Sequence, residues 1–344
     1  MSVLITGASG FIGKSLAAAL LGSGDLKALT LTDLIEPPSP VSRRLTDTSF
    51  SRTEHPKTKV NLIGADLTSE NGVKTVLDEA LEVQPLTLVY ILHGLMSGDS
   101  EKNHDLSIRV NLDATRNLLL ALQTRCPGVR IVYTSSCAVY GPQDQDTHGN
   151  KVTKLTENTK TIPTGTYGAH KAMMEIFIDD MSRRGAVDAR IVRLPTIIVR
   201  AGKPTGAASS FASGMFREPL QGIKSVVPVR KDLEIWICSA RTVVRNLIIA
   251  GQLEATVFGQ GSRVVLLPGR LVTVQDMVNA LEHVGGEKAV QLIEMSPDEK
   301  VEQIVEGWAT RIDDGHARRL GFVEDGTLDS AVTEFIEDYL SGET

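Results

Sequence analysis

A short apolar run over 3–6 ends on Gly7-Ala8-Ser9-Gly10-Phe11-Ile12-Gly13, and a helical pattern follows over 11–21. Three glycines spaced by three between a strand and a helix leave few folds open. Gly7 lets the chain turn sharply after the strand. Gly10 leaves room for a ligand against the backbone, and Gly13 lets the helix lie close on the sheet. The free N–H groups of the first helical turn, aligned with the helix dipole, form an anion site that suits a pyrophosphate. Gly7, Ser9, Gly10, Phe11, Ile12 and Gly13 are therefore expected to hold a dinucleotide. The plainer alternative is a tight strand–helix turn with no ligand, since such turns use glycine anyway.

Asp33 strengthens the dinucleotide reading. It ends the second predicted strand, over 28–33, and lies 20 residues beyond Gly13. A carboxylate there accepts hydrogen bonds from ribose hydroxyls and repels a 2′-phosphate, which predicts NAD rather than NADP. Asp66 and Leu67 follow the third predicted strand and are expected near the adenine edge. Asp66 alone also reads as a helix N-terminal residue.

The same alternation continues. Predicted strands over 60–63, 88–92, 129–134 and 191–194 are separated by helical stretches that include 72–82 and 106–124. Near-continuous apolar strands alternating with helices imply a parallel sheet covered on both faces. The fold class is α/β, a doubly wound Rossmann sheet with a smaller, mainly C-terminal α/β substrate domain. We expect the NAD-binding part over 1–195, with a return around 232–268. The substrate part is expected over 196–231 and 269–344. Helices are predicted over 207–222, 239–253, 273–284 and 328–340. Ser296-Pro297-Asp298-Glu299 reads as a capping box with Pro at the first helical position. The polar stretch 39–58 reads as a surface loop.

Composition narrows the function. The net charge of −6 gives no reason to expect nucleic acid or a membrane as partner. No run approaches the roughly 20 apolar residues that span a bilayer, and no targeting segment is visible, so a cytoplasmic location is expected. Cys126, Cys137 and Cys238 are widely spaced, which suits free thiols and gives no metal-ligand pattern.

The chemistry is expected at Tyr167-Gly168-Ala169-His170-Lys171. On a helix, positions four apart share a face, and a Lys ammonium beside a phenol stabilises the phenolate, making it usable as a base. The same Lys can hold a ribose. Thr134-Ser135-Ser136 lies at the carboxyl end of a predicted strand, where ligands gather in open α/β sheets. A hydroxyl there can polarise a substrate oxygen, and periodicity does not choose between Ser135 and Ser136. Tyr140 reads as packing.

Taken together, Gly7 to Gly13, Asp33, the Ser-Ser-x-x-Val-Tyr-Gly segment and Tyr167 with Lys171 resemble the extended short-chain dehydrogenase/reductases, the NAD-dependent epimerase/dehydratase family. The resemblance covers nearly the whole chain. It implies Ser136 as the catalytic hydroxyl, beside Tyr167 and Lys171. It implies an active-site loop at Leu92-His93-Gly94, where most relatives read His-Leu-Ala-Ala and this chain reads Ile91-Leu92-His93-Gly94. His93 there either lines the cofactor or touches substrate. The resemblance also puts Asn111 near the active site, holding a kink or a water, and Pro195 against the cofactor. Within the family, Arg193-Leu194-Pro195-Thr196-Ile197-Ile198-Val199-Arg200, Ser182-Arg183-Arg184-Gly185 and Leu267-Pro268-Gly269 look like the D-erythronate dehydrogenase branch. That branch implies oxidation of the C2 hydroxyl of a four-carbon sugar acid with NAD.

Sugar-nucleotide epimerases of the family carry an Asn three residues after the Arg that corresponds to Arg193. Here Thr196 stands there, which argues against a nucleotide-sugar substrate. Arg200 offers a planar cation that matches a carboxylate; the plainer reading is a solvated loop charge, which we prefer for Lys203. Ser97 and Thr196 are further candidate substrate contacts. The expected function is NAD-dependent oxidation of a small polyhydroxy acid. The alternatives are a sugar or nucleotide-sugar epimerase that retains NAD and, in another class, a non-catalytic dinucleotide sensor. Wide apolar faces on 106–124 and 169–181, including Leu118, Leu119, Leu122, Met173, Met174, Phe177 and Met181, exceed what the sheet is expected to cover, and the family resemblance implies that they pair in a symmetric homodimer.

Overall fold

The computed structural model describes residues 1–41, 43–45, 50–52, 58–141, 154–204, 207–259 and 261–341. Seven parallel strands form its main sheet: β1 (Ser2–Thr6), β2 (Ala28–Asp33), β3 (Lys59–Gly64), β4 (Leu88–Ile91), β5 (Arg130–Ser136), β6 (Asp188–Leu194) and β7 (Val264–Leu266). Their order is β7-β6-β5-β4-β1-β2-β3. The chain leaves β1 in one direction through β2 and β3, and in the other through β4. The crevice between β1 and β4 is thus the switch point where open α/β sheets bind ligands.

Burial follows the strand period of two. In β1, Val3 and Ile5 join one apolar cluster and Leu4 joins the other, and all three are fully buried. On the first face lie α1 (Phe11–Gly22) and α6 (Ala240–Gln252), through Leu16, Leu20, Val243 and Leu247. On the second lie α2 (Glu70–Leu81), α3 (Ala114–Arg125) and α4 (Thr166–Arg183), through Val76, Leu118, Leu122 and Ile178. A third cluster, with Phe216, Ile235, Met277 and Phe335, is built by α5 (Ser210–Arg217), α7 (Val274–Gly285), α8 (Leu328–Tyr339) and the strand Glu234–Ser239. That strand pairs with Thr196–Ile198 and Arg270–Thr273 in a separate sheet. Ser225–Val227 pairs with Ile293–Met295. The end of α8 returns to α1. The Tyr339 ring lies 6.1 Å from that of Phe11, and its hydroxyl is 3.3 Å from Ser15 Oγ.

Several expectations are corrected. The helix expected over 106–124 is interrupted: a wide π turn occupies Ile108–Asp113, and α3 begins at Ala114. The helix expected over 207–222 is α5 followed by the short turn Pro219–Gln221, which ends at Gly222 in a left-handed conformation, φ +76°. Ser296 does not cap the next helix. Asp298 does, accepting from the N–H groups of Lys300 and Val301, so Pro297 lies before the cap. Within the loop expected over 39–58, Arg43–Leu45 and Phe50–Arg52 pair antiparallel; the rest of 42–57 lies outside the described residues. Leu118, Leu119, Leu122, Met174 and Met181 are buried in the second cluster and offer no free face. What α4 exposes is Met173 and Ile176, at 54% and 72%. The three cysteines are free thiols. Among the described residues no helix is long and apolar enough to cross a membrane.

Candidate active site at the sheet switch point

The glycine turn closes on the backbone of β4's exit. Gly7 has φ +68°, and a Cβ there would lie 2.7 Å from the His93 nitrogen, so only glycine fits. A Cβ on Gly13 would lie 2.4 Å from the Gly7 carbonyl oxygen. Gly10, by contrast, would meet only that oxygen, at 3.1 Å, so its outer side is open. Gly10 is also the N-cap of α1, with no side chain capping the helix and no acid in its first turn. Asp33 reaches this turn: Oδ2 accepts from the Ser9 N–H at 3.0 Å and Oδ1 from the Leu34 N–H at 2.8 Å. An open cradle, an uncapped helix start and a carboxylate at its rim fit a dinucleotide whose pyrophosphate lies on the turn.

The exit of β4 is fixed from beneath. His93 lies between two hydroxyls, with Nδ1 at 2.8 Å from Thr6 Oγ1 and Nε2 at 3.2 Å from Thr115 Oγ1. Desolvation, helped by the Lys171 charge, pulls its pKa down to about 3, so the ring is neutral. Its side chain is a strut between β1 and α3. Next to it, Asn111 sits buried in the π turn. Its Oδ1 accepts from the Leu95 N–H at 2.7 Å, and its Nδ2 donates to the Leu95 carbonyl and to Ser107 Oγ, both at 3.1 Å. Asn111 thus ties the π turn to the Leu95 backbone, and its Oδ1 would lie 3.2 Å from a Cβ on Gly94.

Strand alternation separates the two serines. The Ser135 hydroxyl donates to Glu175 Oε1 in the interior. Ser136 Oγ accepts from the Ala138 N–H at 3.1 Å and faces the Tyr167 phenol, whose pKa it helps to lower. Tyr167, Lys171 and Glu175 follow one another at four-residue steps on one face of α4. Lys171 Nζ donates to the Thr134 carbonyl at 2.7 Å and lies 5.6 Å from the Tyr167 ring centre. Burial pushes the phenol up to about 12; the Ser136 hydrogen bond and the Arg200 charge pull against this. The opposing influence expected from Lys171 comes instead from these two groups.

Glu175 in turn grips Arg193 through both oxygens, at 2.9 and 2.7 Å, and Arg193 reaches the Tyr140 hydroxyl. This pair is buried, and Arg193's charge is consumed. Arg200 differs. Its Nη2 donates to Ser209 Oγ at 3.1 Å and its Nε to Ser213 Oγ at 3.4 Å, and among the described residues no carboxylate pairs with it. Burial first, then the neighbouring Arg217 charge, lowers its pKa to about 10, so it is still a cation at neutral pH.

Other expected residues are spread around this centre. Asp66 is exposed and accepts from the Thr68 N–H ahead of α2, whereas Leu67 is buried in the second cluster. Leu92 packs against the first cluster. Ser97 opens the short helix Ser97–Lys102. Pro195 is buried between β6 and Thr196, and Thr196 starts a strand of the separate sheet. Thr6, Thr115, Glu175, Ser209, Ser213 and Arg217 were not anticipated. Their spacing held a signal: Glu175 is four residues beyond Lys171, and 209, 213 and 217 are spaced by four.

The NAD dependent epimerase/dehydratase family matches residues 3–250. The chain belongs to that family. It is 37% identical over 347 residues to the D-erythronate dehydrogenase of Cupriavidus necator, covering 98% of each chain. With the D-erythronate dehydrogenase of Haemophilus influenzae it shares 35% over 339 residues, covering 98% of this chain and 99% of that protein. A crystal structure described as a nucleoside-diphosphate-sugar epimerase from Agrobacterium tumefaciens superposes with a TM-score of 0.85 at 32% identity, covering 99% of this chain and 94% of that one. The chain is an NAD-dependent dehydrogenase of the extended short-chain type.

Burial lowers the Lys171 pKa from 10.5 to about 8. Between those values the unfolded chain holds the proton and the folded chain does not. Stability from this group therefore rises with pH across the window, and below it the folded state carries a desolvation cost. Lys171→Met removes that cost. Wild type should gain stability relative to the variant as pH rises from about 8 to about 10.5, read from urea midpoints. The slope is diagnostic rather than the offset, because Met also gives up the bond to Thr134. Parallel midpoints across the window would contradict this account.

Proposed function

We propose that the protein oxidises the C2 hydroxyl of a small sugar acid such as D-erythronate. The observation that carries the reading is Arg200, a largely buried guanidinium near Tyr167, hydrogen-bonded by serines and not neutralised by any described carboxylate. A substrate carboxylate is the natural counter-charge. The relatives named D-erythronate dehydrogenase support the same class.

The roles follow. Gly7, Ser9, Gly10, Phe11, Ile12 and Gly13 hold the pyrophosphate, and Asp33 holds the adenosine ribose. Asp66 and Leu67 border the adenine side, and Leu92, His93, Gly94, Asn111 and Pro195 form or back the nicotinamide side. When bound, NAD supplies the hydride acceptor. Ser136 hydrogen-bonds the reacting oxygen, Tyr167 as its phenolate takes the proton, a form that the positive nicotinamide ring of bound NAD would favour, and Lys171 fixes the ribose and faces the phenol. Arg200 binds the carboxylate attached to the reacting carbon and so orients that carbon, and Ser97 and Thr196 meet the remaining hydroxyls. The segments 196–231 and 269–344 form the substrate side.

Incubation with NAD and a panel of four- to six-carbon sugar acids should give NADH absorbance. Tyr167→Phe keeps the ring and should keep NAD binding while turnover falls by about 10²–10⁴. Near-normal turnover in that variant would overturn the mechanism. An epimerase that retains NAD is the second reading, drawn from the description of the Agrobacterium structure; it would give no net NADH.

Asp33→Ser should narrow the preference for NAD over NADP, read as the ratio of kcat/KM for the two cofactors. An unchanged ratio would remove Asp33 from cofactor selection.

Met173 and Ile176 support a homodimer through α4, a self-complementary contact. Light scattering at micromolar concentration should give twice the chain mass, and Ile176→Arg should halve it. A monomeric wild type would count against the interface.

A further inference from the structure

We infer that α5 is the element that reads the acid group: it fixes Arg200 from one helix face, and Ser213 is the positioning residue on which preference for an acid depends. This rests on Arg200 as the carboxylate contact and adds what holds it.

Ser209, Ser213 and Arg217 recur at four-residue steps, the spacing that stacks side chains along one helix face. All three grip Arg200. Ser213 is fully buried, and its Oγ accepts from the Arg200 backbone N–H at 3.1 Å and from Nε at 3.4 Å. Ser209 Oγ accepts from Nη2 at 3.1 Å. Arg217 Nη1 donates to the Arg200 carbonyl at 2.9 Å. One hydroxyl therefore fixes both the main chain and the near edge of the guanidinium, and a second fixes its far end.

None of these grips carries negative charge. Arg217 is itself paired with Glu218 through Nε and Nη2, so Glu218 is engaged by Arg217 and not by Arg200. Contrast Arg193, only seven residues earlier, which is held through both oxygens of Glu175. The fold thus spends a carboxylate on one arginine and only neutral hydroxyls on the other. A guanidinium fixed at both edges by neutral hydroxyls, beside an Arg217–Glu218 pair that balances itself, keeps its own charge for an anion. A merely structural arginine would gain more from an acid at position 209 or 213 than from serine.

The test compares kcat/KM for D-erythronate with that for erythritol, the matching neutral polyol, in wild type, Arg200→Ala, Ser213→Ala and Ser209→Ala. We expect Arg200→Ala to abolish the preference for the acid. Ser213→Ala should lower it about tenfold through KM, since it loses a hydrogen bond to a charged group; Ser209→Ala should lower it less. The affinity for NAD, read by fluorescence titration, should stay within twofold, which a general loss of structure would not allow. If Arg200→Ala abolishes the preference and both serine variants keep it, α5 is not the reader and the inference fails while the Arg200 reading stands. If Arg200→Ala keeps the preference, the Arg200 reading itself fails. Should Ser213→Ala not fold, Ser209→Ala decides between the first two results.

Discussion

At the switch point of the sheet the chain packs backbone against backbone. β1 and β4 run side by side and their exits diverge, and at the fork Gly7 lies so near the His93 main chain that no side chain fits between them. Everything chemical is referenced to that fork. The Thr6–His93–Thr115 bridge fixes its height above the sheet, and the Asn111 bonds to Leu95 fix where the chain goes next. A neutral imidazole suits this use, because its two ring nitrogens can serve as one donor and one acceptor toward two hydroxyls.

From there, two periodicities distribute the chemistry. The strand period of two sends Ser135 inward to Glu175 and Ser136 outward to Tyr167. The helical step of four sets Tyr167, Lys171 and Glu175 in a row, so one helix face carries a phenol, an ammonium and the carboxylate that locks Arg193. Buried charge is costly unless paired. The protein meets that cost at Arg193 with the Glu175 carboxylate, whereas Arg200 is held by hydroxyls alone among its described side-chain partners.

Much of this was legible in the residues. The glycine turn, Asp33 and six of the seven main-sheet strands follow from patterns strong enough to survive any tertiary context. β7 and the strands Ser225–Val227 and Ile293–Met295 were not legible, because three residues carry too little alternation to register. The π turn was also hidden: Asn111 looks like a weak helix residue, and its bonds to Leu95 and Ser107 are seen only once the chain is folded. Leu118, Leu119 and Leu122 looked like spare apolar surface because a sequence does not reveal how much of a helix its sheet covers. Asp298 outcompetes Ser296 as a cap because its carboxylate serves two N–H groups at once. In the site, periodicity left Ser135 and Ser136 equivalent and only the family resemblance pointed to Ser136; the structure turns Ser135 inward to Glu175.

The contact between Tyr339 and the first turns of α1 joins Ser15 to a residue 324 positions away. Strand pairing in the main sheet does not depend on it, and α8 is also tied to α6 by Arg241, which reaches Glu337 and Asp338. The Tyr339 ring packs beside Phe11, the residue that follows the second glycine of the turn. The outer wall of the dinucleotide turn is thus lent by the most distant part of the described chain, and its firmness is a property of tertiary docking rather than of the turn itself.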